Sequence, residues 1–200
     1  MGFKHTGLFP EQAVNWSLAR ELIEKAGRPI YVLNLFAYTG GATVACLKSG
    51  ASVTHVDASK GMVLWAKENA VSSGVAGGNV RWLVDDCMKF VKREIRRGKK
   101  YDAIIMDPPS YGRGPSGEIW KLEQGLCELL SDTGKLLSDN PLFFMLNSYT
   151  GGLSHTILNY MVKTYVAPKD KGTVSTDEIG LKVTKKDIVL PCGNTTVWKR

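Results

Sequence analysis

Val32-Leu33-Asn34-Leu35-Phe36-Ala37-Tyr38-Thr39-Gly40-Gly41 is the stretch whose reading settles the architecture. Its first half is largely apolar and of strand length. Gly40 and Gly41 allow a tight turn into a helix and a close approach of backbone to a ligand. The spacing predicts a first strand over residues 30–36 and further strands over 52–57, 80–84, 101–107 and 142–148. Four of these five runs are nearly continuous in apolar residues, as parallel strands covered on both faces are.

Helix patterns fill the intervals. Leu153, Ile157, Leu158, Met161, Val162 and Tyr165 follow helical spacing, as do Ile119, Leu122, Leu126, Leu129 and Leu130. Ser59 opens a helix that Gly74 stops, and residues 11–26 predict another, punctuated by Pro10 and Gly27. Residues 172–185 and 187–198 are rich in Thr and Val and predict two antiparallel strands. The alternation predicts an α/β fold: a doubly wound, Rossmann-like sheet of about seven strands with a C-terminal antiparallel hairpin. One domain is expected over residues 1–200, with an N-terminal segment and helix over 1–27 and the core sheet over 28–200.

At 200 residues the chain can bury a full core without a disulfide or metal staple. A composition of 44% hydrophobic and 22% charged residues excludes disorder, collagen and coiled coil. No apolar run approaches the roughly 18 residues of a membrane span. The 26 Lys and Arg outnumber the 19 Asp and Glu, giving a net charge of +7, which favours polyanionic partners without establishing one. Cys46, Cys87, Cys127 and Cys192 form no C-x-x-C, which argues against a zinc ribbon or a redox pair. Reduced thiols and a cytoplasmic location are expected. His5, His55 and His155 show no ligand spacing, so no metal is expected, and His55 reads as a packed or edge residue.

The glycine turn lacks both G-x-G-x-x-G and G-x-x-x-x-G-K-[ST], which disfavours a dinucleotide oxidoreductase or a P-loop enzyme. Asp57 follows Gly40 by 17 residues, where a carboxylate can accept both hydroxyls of a ribose. The alternative is an acid at a helix start with Ser59 as cap. Val84-Asp85-Asp86-Cys87 ends the third strand. An acid there can meet an adenine amino group while a backbone N–H serves the ring, or it can simply cap a helix.

The fourth strand runs into Asp107-Pro108-Pro109-Ser110-Tyr111-Gly112. Two prolines remove two N–H donors and stiffen the loop. Asp107 and the Pro108 carbonyl can then accept hydrogen bonds from an amine and hold its nitrogen in line with an electrophilic methyl. Tyr111 can stack on a base. The alternative is an ordinary proline turn. In a doubly wound sheet the first and fourth strands are neighbours at the switch point, so the Gly40 turn and Asp107 face one crevice.

At these residues the chain resembles the AdoMet-dependent methyltransferases of large-subunit ribosomal RNA. Phe36-Ala37-Tyr38-Thr39-Gly40 matches their Phe-x-Tyr-Thr-Gly turn, and Val56-Asp57-Ala58-Ser59, Asp85-Asp86 and Asp107-Pro108-Pro109 are similar in order and kind. His5-Thr6-Gly7-Leu8-Phe9-Pro10-Glu11-Gln12 is similar to their Thr-Gly-x-Phe element. The resemblance implies a class I methyltransferase fold, S-adenosylmethionine as cofactor, and RNA as substrate. It implies that Asn34 and the Ala37–Gly40 backbone hold the methionine portion, and that Asp57, Ala58 and Ser59 hold the ribose. Asp85, Asp86 and Cys87 fall at the adenine end, and Thr6, Phe9 and Gln12 close over the cofactor. Asp107, Pro108, Tyr111 and Asn147 form the acceptor pocket.

Two departures matter. The 5-methylcytosine members carry a nucleophilic Cys just after the fifth strand, whereas this chain has Leu146-Asn147-Ser148-Tyr149-Thr150. That points to a nitrogen acceptor, because carbon methylation needs the covalent attack. Such enzymes also carry an N-terminal accessory domain. With the first cofactor element at Thr6, that domain is expected to be absent, separate or outside these residues. The competing readings are a methyltransferase for a protein or small molecule, and a non-catalytic AdoMet- or RNA-binding module. Lys89, Lys92, Arg93, Arg96, Arg97 and Lys100 are spaced to share a helical face, either a phosphate-binding surface or a solvated one. The five tryptophans are expected in the core.

Overall fold

The computed structural model describes residues 7–113, 119–167 and 171–200. The predicted alternation is present. Strands β1 (Tyr31–Leu35), β2 (Ser52–Asp57), β3 (Val80–Val84) and β4 (Ala103–Met106) are followed by a small pair, β5 (Tyr111–Arg113) and β6 (Ile119–Lys121). Strands β7 (Phe143–Ser148), β8 (Thr173–Lys182) and β9 (Val189–Lys199) complete the set. The helices are α1 (Ala13–Lys25), α2 (Gly41–Lys48), α3 (Lys60–Ser72), α4 (Cys87–Arg96), α5 (Leu122–Gly134) and α6 (His155–Tyr165). A 3-10 turn, Pro10–Gln12, leads into α1.

Seven strands form one sheet in the order β3-β2-β1-β4-β7-β9-β8. β9 alone runs antiparallel, inserted between β7 and β8. β1 and β4 are neighbours, with Leu35 beside Met106, so the sequence places the switch point correctly. β5 and β6 form a separate hairpin that the helical reading of Ile119 missed, since α5 begins only at Leu122.

Alternation along the central strands sorts their side chains between two cores. Leu33, Leu35, Ile104, Met106, Phe144 and Leu146 join one core with α4, α5 and α6. Val32, Ala103, Ile105, Phe143 and Met145 join the other, with α1 and α2. By the same period of two, Asn34 and Asn147 belong to the α1–α2 side. They give that core a polar upper end.

The tryptophans depart from expectation. Trp198 is fully buried, but Trp65 is 38% exposed. His55 is packed as expected: fully buried, its Nδ1 is 2.9 Å from Thr43 Oγ1, and burial pushes its pKa down to about 3.

The run of basic residues does not form a single helical face. α4 ends at Arg96 with Arg97 as its cap, so Lys100 lies beyond it. Lys92 pairs with Glu128, Arg93 with Asp85 and Arg97 with Glu94, while Lys100 donates to the Lys135 carbonyl.

Glu94 is buried within this group. It accepts from the Tyr101 hydroxyl at 2.7 Å and pairs with Arg97 at 3.0 Å and Arg81 at 3.6 Å. Burial pushes its carboxyl up, but the Tyr101 and Arg97 hydrogen bonds and both arginines outweigh it, leaving the pKa below the ordinary value. Its stabilisation is therefore present above that value and lost in acid. Glu94→Ala removes the acceptor of the buried Tyr101 hydroxyl, leaving it only Thr54, and is expected to cost about 1–3 kcal/mol in urea unfolding at neutral pH. The difference should shrink as the pH falls through the carboxylate range.

Candidate active site

The turn after β1 is strained and pinned. Phe36 and Tyr38 have φ of 54° and 49°, and Gly40 has 85°, all left-handed. Non-glycine residues adopt such angles only where the surroundings over-determine them. The Asp57 carboxylate supplies that constraint: Oδ2 accepts the Tyr38 N–H and Oδ1 the Ser59 N–H, each at 2.8 Å. Phe36 N–H meets Cys87 Sγ at 3.3 Å, and Asn69 Nδ2 donates to the Thr39 carbonyl at 2.9 Å. Burial raises the Asp57 pKa against the lowering effect of those two N–H groups.

The two glycines serve packing as well as the turn. A Cβ on Gly40 would sit 3.0 Å from the Ala66 Cβ, and one on Gly41 would sit 2.6 Å from the Trp16 ring. Their missing side chains therefore admit α3 and α1 rather than a ligand.

Ser59 caps α3, and Ala58 is the bend between Asp57 and Ser59. Asp86 caps α4, its Oδ1 accepting the Lys89 N–H at 2.8 Å, and Asp85 pairs with Arg93. The structure thus gives both acids a local partner at the end of β3. It brings Cys87 under the glycine turn, where burial pushes its thiol pKa well up.

A strap, Gly7-Leu8-Phe9, crosses the turn. The Thr39 hydroxyl donates to the Gly7 carbonyl, and the Phe9 ring lies between those of Tyr38 and Tyr149, with centroids 5.8 and 6.1 Å away. Thr6 lies outside the described residues. Beneath the strap is a cavity of about 60 Å³, whose walls include Gln12, Asn34, Tyr38, Gly40, Asp107 and Asn147.

Asp107 continues the alternation of β4 onto the α1–α2 side and borders this cavity. No hydrogen bond or ion pair among the described residues reaches its carboxylate. Burial, with the Glu11 carboxylate nearby, pushes its pKa up to about 7. The following loop is tied down: the Trp120 indole donates to the Pro109 carbonyl at 2.7 Å, and Trp120 packs on Phe36. Pro108 is buried and Tyr111 is 54% exposed at the mouth.

Asn147 belongs to a network that sequence reasoning missed. The Asn15 amide reaches Gln12 Oε1 at 2.8 Å, Asn147 Oδ1 at 3.0 Å and Thr195 Oγ1 at 2.8 Å. Gln12 donates to the Tyr149 hydroxyl at 2.7 Å, which donates to Glu11 at 3.1 Å. Burial and the carboxylates of Asp107 and Glu11 hold the Tyr149 pKa above the usual tyrosine range, despite the Gln12 donor. Glu11 itself is 7% exposed, without an ion pair among the described residues. An acid and an amide on the buried side of a predicted helix start were the available signal.

The site fits a nucleoside sulfonium in two respects. The Tyr38 hydroxyl, beside the cavity, is buried without a partner among the described residues. Asp107 offers a carboxylate, unpaired among the described residues, to a positive charge or an N–H. No group of three or more His, Cys, Asp or Glu among the described residues could hold a metal. No helix among them is long and apolar enough to cross a membrane.

Comparison with known proteins gives the family and the fold. A methyltransferase from Agrobacterium tumefaciens, described as SAM-dependent, superposes with a TM-score of 0.94 at 38% identity, over 100% of this chain and 65% of that one. The magnesium protoporphyrin IX methyltransferase of Synechocystis PCC 6803, solved with SAM, has a TM-score of 0.64 at 14% identity, over 96% of this chain and 80% of that one. At that identity it shows the fold alone. The ribosomal RNA large subunit methyltransferase K/L of Shewanella frigidimarina is 36% identical over 141 residues, covering 70% of this chain and 19% of the relative. Its Shewanella baltica counterpart is 34% identical over 148 residues, covering 70% and 20%. The chain spans about a fifth of the length of these curated relatives. Residues 3–142 match the family described as S-adenosylmethionine-dependent methyltransferase, and the chain belongs to that family.

Proposed function

We propose that this enzyme methylates a nitrogen of a nucleotide in RNA, with large-subunit ribosomal RNA as the first candidate. The observation that carries the nitrogen acceptor is the unpaired Asp107 carboxylate, held at the switch point before two prolines. An acceptor-only group there suits an amine or ring N–H. The names of the curated relatives support RNA. The reading places the enzyme in the cytoplasm, working with RNA-binding parts that lie elsewhere in a longer protein or in a partner.

S-adenosylmethionine, when bound, supplies a methyl group on a positively charged sulfur. Asp57 keeps lone pairs free for ribose hydroxyls after accepting two N–H groups, since each carboxylate oxygen accepts more than one. Asn34, the Ala37–Gly40 backbone and the Tyr38 hydroxyl hold the methionine portion, and Phe9 and Gln12 shut out water. Asp85, Asp86 and Cys87 mark the adenine end, where backbone groups carry the contact because both acids are engaged locally. Asp107 and the Pro108 carbonyl orient the acceptor nitrogen, so positioning is the main source of rate. Asn147, fixed by Asn15 and Thr195, completes the pocket. Tyr111 offers a stacking face to a base drawn out of its helix. Cys192 is the one cysteine beside Tyr149 among the described residues, but it lies outside the cavity and its thiol donates to the Leu190 carbonyl. It is not placed to attack a pyrimidine.

Unmodified large-subunit ribosomal RNA should take up label from methyl-labelled S-adenosylmethionine and lose it to ribonuclease, with methylated nitrogen found on nucleoside analysis. Asp57→Ala should weaken cofactor binding by about 10-fold or more. Asp107→Ala should leave binding within a few fold and slow transfer by about 100-fold. Cys192→Ser should leave transfer unchanged; its loss in that variant would move the acceptor to carbon.

Transfer needs Asp107 as the carboxylate, so rates at subsaturating cofactor, which report the free enzyme, should rise with pH through about 7. The charged and titratable groups near Asp107 are Glu11 and Tyr149. Glu11→Gln removes a negative neighbour and should move the midpoint to lower pH. A midpoint that stays put would show that Glu11 does not act on Asp107.

A further inference from the structure

The C-terminal hairpin outruns the sheet it belongs to. The pairing of β7 with β9 ends at Ser148 and Asn194. The pairing of β8 with β9 continues through Ile179–Gly193, Gly180–Pro191, Leu181–Leu190 and Lys182–Val189. Ser148 is the carboxyl end of β7, the edge that also carries Asp107 and Asn147. Four rungs therefore project past the ligand-binding edge, about 13 Å at the usual rise per residue. The tip is closed by Val183 N–H on the Ile188 carbonyl at 3.0 Å and Lys186 N–H on the Val183 carbonyl at 3.2 Å.

The root of this arm is continuous with the acceptor side of the site. Gly193 lies against Tyr149 so closely that a Cβ would come 2.7 Å from the ring. Asn194 Oδ1 meets His155 Nε2 at 2.6 Å. Tyr149 is followed by Thr150, whose hydroxyl lies 2.5 Å from that of Ser110 in the Asp107 loop. Arm, Tyr149 and the Asp107 loop thus follow one another around the mouth.

The arm's surface is unlike a solvated turn. Ile188, Val189 and Leu190 are 55%, 60% and 56% exposed in succession. Lys182, Lys185 and Lys186 are exposed beside them, without an ion pair among the described residues. Asp187 is the one acid between Lys182 and Leu190. Val189 and Leu190 alternate between the two faces of the hairpin, so the strip of exposed apolar side chains wraps both faces beside a basic border, which marks an interaction surface. The register shift between Ile179 and Gly180 and the lysines are devices that discourage another strand from adding to this edge. The partner is therefore not a second β-edge, and the charge asks for a polyanion.

We propose that the overhanging β8–β9 arm grips the RNA strand that delivers the acceptor nucleotide. Lys182, Lys185 and Lys186 neutralise phosphates, and Ile188, Val189 and Leu190 lie against bases exposed by unstacking. The proposal rests on the RNA reading above and assigns the RNA-holding surface to residues outside the cofactor and acceptor pockets.

The test compares the wild-type chain with Lys182→Ala/Lys185→Ala/Lys186→Ala and with Ile188→Ser/Leu190→Ser, using unmodified large-subunit ribosomal RNA transcribed in vitro. All five positions are exposed, and cofactor affinity checks the fold. The lysine variant should bind RNA about 10- to 100-fold more weakly at low salt. Its slope of log affinity against log salt should fall by about 2, near 0.7 for each single-strand phosphate lost. The apolar variant should lose affinity with its slope kept. Wild-type methylation of RNA with unchanged slope and affinity in both variants would overturn the arm while leaving the RNA reading intact. Failure of the wild type to bind RNA, with cofactor binding normal, would overturn the arm, and failure to methylate RNA that it does bind would overturn the RNA reading. A change of oligomeric state in the apolar variant with RNA binding unaffected would make the strip a contact between copies and also overturn the proposal.

Discussion

The Asp57 carboxylate is the constraint on which the site depends. Two residues with side chains, Phe36 and Tyr38, hold positive φ in one short turn, at a cost of order 1–3 kcal/mol each. Asp57 fixes the Tyr38 N–H from the end of β2 and the Ser59 N–H at the start of α3. One side chain thereby locks the β1–α2 turn to the β2–α3 turn. Its rigidity is what lets the remaining lone pairs point at a ligand without reorganisation. The same turn seats Gly40 on Ala66 and Gly41 on Trp16, so the strain is offset by helix packing on both sides.

Much of this was legible in the sequence because it is local or periodic. Strand-length runs, four of the five nearly continuous in apolar residues, marked β1, β2, β3, β4 and β7, and the Thr- and Val-rich tail marked the hairpin. The switch point followed from strand order, and with it the common crevice of the Gly40 turn and Asp107. Parity does the rest: Asn34 and Asn147 fall on one side of neighbouring strands because side chains alternate, and Asp107 extends the same series. What was not legible depends on contacts distant in sequence. Asn15 reaches Asn147 and Thr195, 132 and 180 residues away, and no local pattern distinguishes it from a surface amide. Trp120 is read as part of a helix by its neighbours, yet it anchors the Pro109 carbonyl from a strand. The basic residues around α4 looked like one face because spacing alone ignores where a helix ends and which acids lie opposite.

Asp85 and Asp86, proposed for the adenine end, already have local partners. Both stand at the carboxyl end of β3, as a nucleoside site requires. Both also satisfy local groups, one an arginine and the other a helix N–H. Capping does not compete with ligand binding, since it uses one oxygen and fixes the loop from which backbone donors project.

The acceptor end is built at the expense of stability. Asp107 and Glu11 are carboxylates near one another, and neither has an ion pair among the described residues. Asp107 is raised to about 7, so its ionisation is disfavoured by the empty fold. The sign of linkage follows: the stabilisation tied to its proton is present in acid and lost as the pH rises through about 7. At neutral pH the protein therefore carries an unfavourable, partly formed charge on the cavity wall. A positively charged sulfur or a hydrogen-bonding amine relieves that charge when it enters, whereas a neutral thioether does not. The buried acids of the N-terminal segment and the Asp107 loop thus make the same interaction serve twice. On the function proposed above, they would favour the charged methyl donor over its spent form and hold the acceptor nitrogen where the methyl arrives.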